Sequence, residues 1–171
     1  MNRIAQFEKV NFEQFLKDYN DTFDYGQSAE EIRIIWNNIK LPTRVTADSA
    51  GYDFVTPISF TLKPRETIKI PTGIRCRIDE GWVLKLYPRS GLGFKYRLQL
   101  NNTVGIIDGD YFNSDNEGHI FAKITNDSNE NKIIIINRGS RFMQGIFVPY
   151  GITVNDNADG ARNGGFGSTG Q

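Results

Sequence analysis

The spacing of apolar positions changes near residue 40, dividing the chain into a helical beginning and a β-rich remainder. Phe12, Phe15, Leu16, Tyr19 and Phe23 recur at helical intervals behind Asn11, a capping residue with Gln14 three positions on. They predict one amphipathic helix. After the breaker Asp24-Tyr25-Gly26-Gln27, Ser28 and Glu31 form a capping box ahead of Ile32, Ile35, Trp36 and Ile39, which share a face until Pro42 stops the pattern. They predict a second. Two helices this short cannot bury both apolar stripes alone, so they are expected to dock on the main domain or on a neighbouring subunit.

From Leu41 to about Val154 the pattern becomes short β-branched and aromatic runs broken by Gly, Pro, Asn and Asp. The predicted strands are Tyr52 to Val55, Ile58 to Leu62, Thr67 to Ile70, Ile74 to Ile78, Trp82 to Tyr87, His119 to Ile124, Lys132 to Ile136 and Phe142 to Val148. Many short strands at near-regular spacing predict an all-β fold, a sandwich or jelly roll. Ile74, Cys76 and Ile78 alternate with Arg75 and Arg77, so that strand has one dry and one wet face. No internal repeat is present. From Asn155 to Gln171 the apolar residues give way to glycine, which by composition alone reads as a frayed tail.

A chain of 171 residues supports one domain with an extension. Its 20 basic and 20 acidic residues balance, leaving no global field to hold nucleic acid or an anionic membrane. An anionic ligand must therefore be held by a local cluster. One cysteine, Cys76, rules out an internal disulfide framework and a multi-cysteine zinc site; it reads as a small core residue in a reducing, cytoplasmic protein. No apolar run has the length of a membrane span, and the first residues lack the uninterrupted apolar region of a signal peptide.

Several stretches carry candidate chemistry. In Asn101 to Tyr111, the β-branched Val104, Ile106 and Ile107 end abruptly at Asp108-Gly109-Asp110-Tyr111. The run is either a hairpin whose aspartates satisfy turn amides, or a strand that lifts Asp108 to a rim as a proton acceptor for water, with Tyr111 walling a pocket. Pro88-Arg89-Ser90-Gly91-Leu92-Gly93 is either a polar turn with a helix start or a phosphate cradle of guanidinium, hydroxyl and closely approachable amides. Arg162 to Gly170 repeats those ingredients and adds Phe166, flanked by glycines, as a lid for a planar base. Asp53, after the small residues Ala47 to Gly51, suits a hydrated cation or turn amides. Arg141 and Gln144, three apart, fall on opposite faces of a regular strand, and the lone His119 suits surface or packing roles.

Taken in order, Ser49-Ala50-Gly51-Tyr52-Asp53, Pro88-Arg89-Ser90-Gly91, Asn102 to Tyr111, Gly139-Ser140-Arg141-Phe142-Met143-Gln144 and Gly164 to Gly170 resemble the five motifs of the trimeric dUTP diphosphatases, or dUTPases. The resemblance runs from about residue 41 to the C-terminus. The helical extension, residues 1–40, lies outside it; the resemblance implies 41–158 as a jelly roll assembled into a homotrimer with shared active sites, and 159–171 as an arm that closes over a neighbour's site. It implies hydrolysis of dUTP to dUMP and pyrophosphate with Mg²⁺, which limits uracil in DNA and supplies dUMP.

The resemblance also distributes roles. Asp108 would deprotonate the water that attacks the α-phosphorus. Asp53 and Gln144 would touch Mg²⁺ through its waters. Arg89, Ser90 and the Gly91 amide belong to the phosphate-binding motif, and Arg162 matches the γ-phosphate clamp beside Gly167, Ser168 and Thr169. Asn102, with main-chain groups of Gly105 and Ile107, matches a uracil-reading hairpin. Tyr111 would press on the deoxyribose and exclude a 2′-hydroxyl, while Phe166 would cover the base. Two features depart from the commonest pattern: a longer loop at 112–118, and an Arg162 one residue closer to Phe166. The alternatives are a dCTP deaminase of the same fold, which lacks the Gly-Gly-Phe-Gly-Ser-Thr-Gly ending, a dUTPase relative with a regulatory protein-binding role, and a sugar-binding jelly roll.

Overall fold

The computed structural model describes residues 2–160. It opens with a strand that the apolar pattern does not announce. β1 (Ala5–Lys9) offers Phe7 as its one large apolar residue among polar neighbours, and it forms by pairing antiparallel with a strand much later in the chain.

The two predicted helices follow. In α1 (Phe12–Thr22) the Asn11 side chain accepts the Gln14 amide at 2.7 Å, and in α2 (Ala29–Asn37) Ser28 and Glu31 complete the reciprocal capping box. The second helix ends at Asn37, ahead of Pro42: the Asn38 amide bonds the Ile35 carbonyl and closes the last turn. Phe12, Phe15 and Tyr19 of α1 and Ile32 and Ile35 of α2 are buried in the same core cluster as residues of the β domain. The extension thus docks on its own chain. Trp36 adds a polar pin, its indole N–H donating to the Val10 carbonyl at 2.9 Å.

The β domain consists of β2 (Tyr52–Val55), β3 (Phe60–Leu62), β4 (Thr67–Pro71), β5 (Ile74–Ile78), β6 (Trp82–Pro88), a short α3 (Ser90–Tyr96), β7 (Leu98–Leu100), β8 (Gly105–Ile107), β9 (Phe121–Asn126), β10 (Ile134–Ile136) and β11 (Arg141–Pro149). All pairings are antiparallel. They make a four-stranded sheet in the order β2-β11-β6-β8, a three-stranded sheet β4-β9-β7, and the pairs β3-β10 and β1-β5, the arrangement of a jelly roll. Buried rows such as Phe54, Leu84 and Leu86 on one sheet and Ile70, Leu98 and Ile124 on the other fill one core. Cys76 lies within it, where burial, with the nearby charge of Glu8 adding, pushes the thiol up to about 12 and leaves it inert.

Two local expectations are corrected. Asp108-Gly109 does not close a hairpin, because β8 runs straight into a 3-10 helix, Gly109–Asn113. β7 and β8 do not form a hairpin either: each pairs in a different sheet, so residues 101–104 are an arch between sheets, with Thr103 in the left-handed region at φ 64°.

Candidate functional site

The first cluster forms where β2, β11 and β6 meet. Asp53 stands opposite Gln144 in the β2–β11 register, and Gln144 stands opposite Tyr87 of β6 on its other side. The register of β11 slips between Arg141 and Met143. A bulge of this kind inserts a residue and resets the alternation. Arg141 and Gln144, expected on opposite faces, are thereby brought to the same side of the strand, beside Asp53. Arg141 Nη1 donates to Asp53 Oδ2 at 3.2 Å, and Arg89 Nε lies 3.0 Å from Asp53 Oδ1. Asp53 is nearly buried while both arginines are partly exposed, so the carboxylate acts as an inner brace that aims two guanidinium groups outward.

Gln144 completes this cluster through a glycine. A Cβ on Gly51 would lie 2.7 Å from Gln144 Oε1, so the small residue before β2 makes room for the amide, whose Nε2 donates to the Pro88 carbonyl at 3.3 Å. Beyond Pro88 the chain enters α3, and its first amides, at Ser90 and Gly91, have no acceptor within the helix. Arg89, Ser90 and Gln144 line a cleft of about 660 Å³.

The second cluster lies at the far end of β6. Among the described residues β8 is one of the two edge strands of its sheet, and Gly105 and Ile107, two apart, turn their main-chain groups to the same side. A Cβ on Gly105 would meet the Leu86 Cβ at 3.0 Å, which explains the close approach of the two strands there. Asp108 leaves the end of β8 and, with Asp110 and Ile106, lines a cleft of about 700 Å³. Asn102 is exposed on the arch that leads into β8. Tyr111 is buried, 3% exposed, and lines neither cleft: its hydroxyl donates to the His119 carbonyl at 2.6 Å and accepts from Asn116 Nδ2 at 2.8 Å, so its O–H is committed inside the protein.

The register of β6 fixes how far apart the clusters are. Ile107 sits opposite Leu84, which puts Asp108 beside Val83, and Arg89 is six residues further along the strand. At about 3.3 Å per residue that is about 20 Å. No residue lines both clefts. The structure therefore unites Asp53, Arg89, Ser90, Gly91 and Gln144 at one end of β6, leaves Asp108 in the cleft at the other with Asn102, Gly105, Ile107 and Tyr111 on the same stretch of chain but not lining that cleft, and keeps the two groups apart. Arg162, Phe166, Gly167, Ser168 and Thr169 lie outside the described residues.

As a metal site, Asp53 has a guanidinium on each oxygen, and no cluster of three His, Cys, Asp or Glu side chains able to hold an ion occurs among the described residues. This donor set fits contact with Mg²⁺ through its waters and does not fit an inner-sphere cage.

A polar network absent from the motif reading ties the extension to the second cluster. Asp18 of α1 places Oδ2 2.6 Å from His119 Nδ1, while the Gly73 amide donates to His119 Nε2 at 2.8 Å. Because Nε2 accepts, the ring proton sits on Nδ1 and is donated to Asp18. Burial pulls the imidazole below its ordinary 6.5, against the opposing pull of Asp18. Burial works to raise the Asp18 carboxyl, but the hydrogen bonds from His119 and Gln14 outweigh it and hold the group below its ordinary 3.8. The sequence did carry a signal for Asp18: a carboxylate between Phe15 and Tyr19 on the apolar face of a helix needs a buried partner.

An antiparallel jelly roll of this kind is the fold of the dUTPases. The dUTPase family model matches residues 37–170, and the chain belongs to that family. It is 42% identical over 135 residues to a deoxyuridine 5′-triphosphate nucleotidohydrolase of Lactococcus lactis subsp. lactis strain IL1403, covering 77% of this chain and 89% of that protein. Among solved structures it resembles the dUTPase of Streptococcus mutans, with a TM-score of 0.62, 33% identity, and 86% and 97% of the two chains covered. A mutant dUTPase from phage phi11 of S. aureus, described for its coordination of a structural Mg(II) ion, shares the fold at a TM-score of 0.62 and 20% identity, covering 92% of this chain and 98% of that one. Residues 2–36 lie outside the family match.

Proposed function

We propose that the protein hydrolyses dUTP to dUMP and pyrophosphate at sites shared between copies of the chain in a homotrimer. The observation that carries this reading is the separation of about 20 Å between Asp108 and the Arg89–Ser90 cluster along β6. Adjacent phosphorus atoms of one triphosphate share a bridging oxygen. A base acting at one and donors holding the next must therefore come from different protomers.

In this reading Asp108 takes a proton from water as its oxygen bonds to the α-phosphorus, and the bond from that phosphorus to the bridging oxygen breaks. The leaving pyrophosphate gains charge, which Ser90, the Gly91 amide and Arg89 stabilise. Arg162, Ser168 and Thr169 would hold the terminal phosphates, and Phe166 with Gly167 would cover the base. When bound, Mg²⁺ supplies neutralisation of the triphosphate charge, and Asp53 and Gln144 would hold it through its waters. Asn102 with the open edge of β8 at Gly105 and Ile107 presents fixed donors and acceptors to the uracil edge, and cytosine leaves such groups unpaired. The Tyr111 ring packs against the deoxyribose.

The protein would act in the cytoplasm, limiting uracil in DNA and supplying dUMP. The test is pyrophosphate release from dUTP, dCTP, dTTP and UTP, with and without chelator. The expected result is strong preference for dUTP and loss on chelation. Ammonia release from dCTP would point to a deaminase, and equal turnover of all four nucleotides would defeat the assignment. Removing residues 160–171 should cripple turnover while leaving the fold intact; a fully active truncation would return them to a plain tail.

A further inference from the structure

Two direct contacts from residues 5–40, and a third relayed through two arginines of β5, converge on one segment, 111–119, which includes the loop longer than the usual family turn. Asn11, the cap of α1, gives both its backbone amide, at 2.9 Å, and its side-chain amide to the Glu117 carboxylate. Glu8 of β1 lies 3.3 Å from Arg75 Nε and 4.0 Å from Arg77 Nη2, and the guanidinium carbons of those two arginines sit 3.7 and 4.3 Å from the Phe112 ring centre. Asp18 grips the His119 ring from one side and the Gly73 amide holds it from the other.

The same segment folds back onto Tyr111. Its hydroxyl is held between the His119 carbonyl and the Asn116 amide, and the Ser114 hydroxyl donates to its carbonyl. Gly118, at φ 70°, lets the loop close this tightly, since a Cβ there would come within 2.7 Å of the Tyr111 carbonyl oxygen. The acceptor that fixes the Tyr111 hydroxyl is therefore the backbone of the residue whose side chain α1 holds.

We propose that the N-terminal extension belongs to the sugar-selecting machinery, with Asp18 and His119 as positioning residues that set where the Tyr111 ring stands. The proposal rests on the reading of Tyr111 as the residue against the deoxyribose. With Asp18 removed, the His119 ring loses one of its two anchors, its carbonyl can shift, and the phenol it holds shifts with it. Asp108 and the phosphate cluster are untouched, so loss of discrimination between deoxyribose and ribose is the expected signature.

The experiment compares kcat/KM for dUTP and UTP in Asp18→Ala, Asp18→Asn, Glu117→Ala and Tyr111→Ala, with a thermal melt of each. Asp18→Ala should lower the dUTP-to-UTP ratio about tenfold while kcat on dUTP stays within about threefold. Asp18→Asn, which keeps an acceptor for the Nδ1 proton, should restore most of the ratio. Glu117→Ala, at a partly exposed position, should move it the same way and serves if Asp18→Ala does not fold. If Tyr111→Ala lowers the ratio and neither Asp18→Ala nor Glu117→Ala does, the positioning role is overturned. An unchanged ratio in Tyr111→Ala removes the sugar-facing reading of Tyr111, and the proposal falls with it.

Discussion

Gly51 and Gln144 are fitted to one another: the glycine's missing side chain is the space that the Gln144 carboxamide fills, 2.7 Å from where a Cβ would stand. The obstructing atom is the end of a flexible side chain, so Gly51→Ala should fold with stability close to the parent's. Its amide group would be turned away from Asp53 and the cleft. Turnover of dUTP should fall about 10–100-fold, the cost of a misplaced positioning group. Steady-state kinetics beside a melting curve measures both; unchanged kinetics would remove Gln144 from the site.

Asp108→Asn should lower kcat by about 10²–10⁴ while a non-hydrolysable dUTP analogue still binds, since the amide keeps the shape and loses the basicity. Calorimetric titration and turnover on the same preparation separate the two. Equal losses of binding and turnover would make Asp108 a ligand-holding group.

The proposed division of each site between protomers predicts rescue by mixing. Asp108→Asn and Ser90→Ala proteins, each crippled alone, should regain activity when co-refolded, approaching about one quarter of wild type for random assembly in which the two side chains come from different chains. Mixtures no better than the sum of their parts would place both side chains in one protomer's site.

The Asp18–His119 pair predicts an acid-sensitive contribution to stability. His119 is held below its ordinary 6.5, so as pH falls through 6.5 the unfolded chain takes up a proton first and stability drains until the lower folded value is passed. Asp18, held below 3.8, adds a second loss below that pH. Glu117 and Lys69 also act on the ring, in opposite directions. Urea midpoints at about pH 7.5 and about pH 5.5 should therefore fall more steeply for the parent than for His119→Gln. Parallel slopes would show that His119 titrates alike in both states.

Alternation and capping made much of this architecture readable in advance. Ile74, Cys76 and Ile78 lie on a buried face as their spacing requires, and both helices begin at the residues whose side chains cap them. β1 was not readable, because Gln6-Phe7-Glu8 is a strand only in the presence of its distant partner. The candidate residues stand out as motifs, yet their geometry does not. Arg141 and Gln144 share a side because of a bulge that no local residue type announces, and the distance between Asp108 and Ser90 follows from pairing register, a property of two strands together.

Among the described residues, the strand Ala5–Lys9 is the strand that pairs with Ile74–Ile78, and it covers one row of that strand's amides and carbonyls. A chain shortened past Lys9 would expose a ready template for strand addition by other molecules. Ala5–Lys9 therefore guards a sheet edge as well as anchoring the extension, and a chain trimmed past it should self-associate more readily.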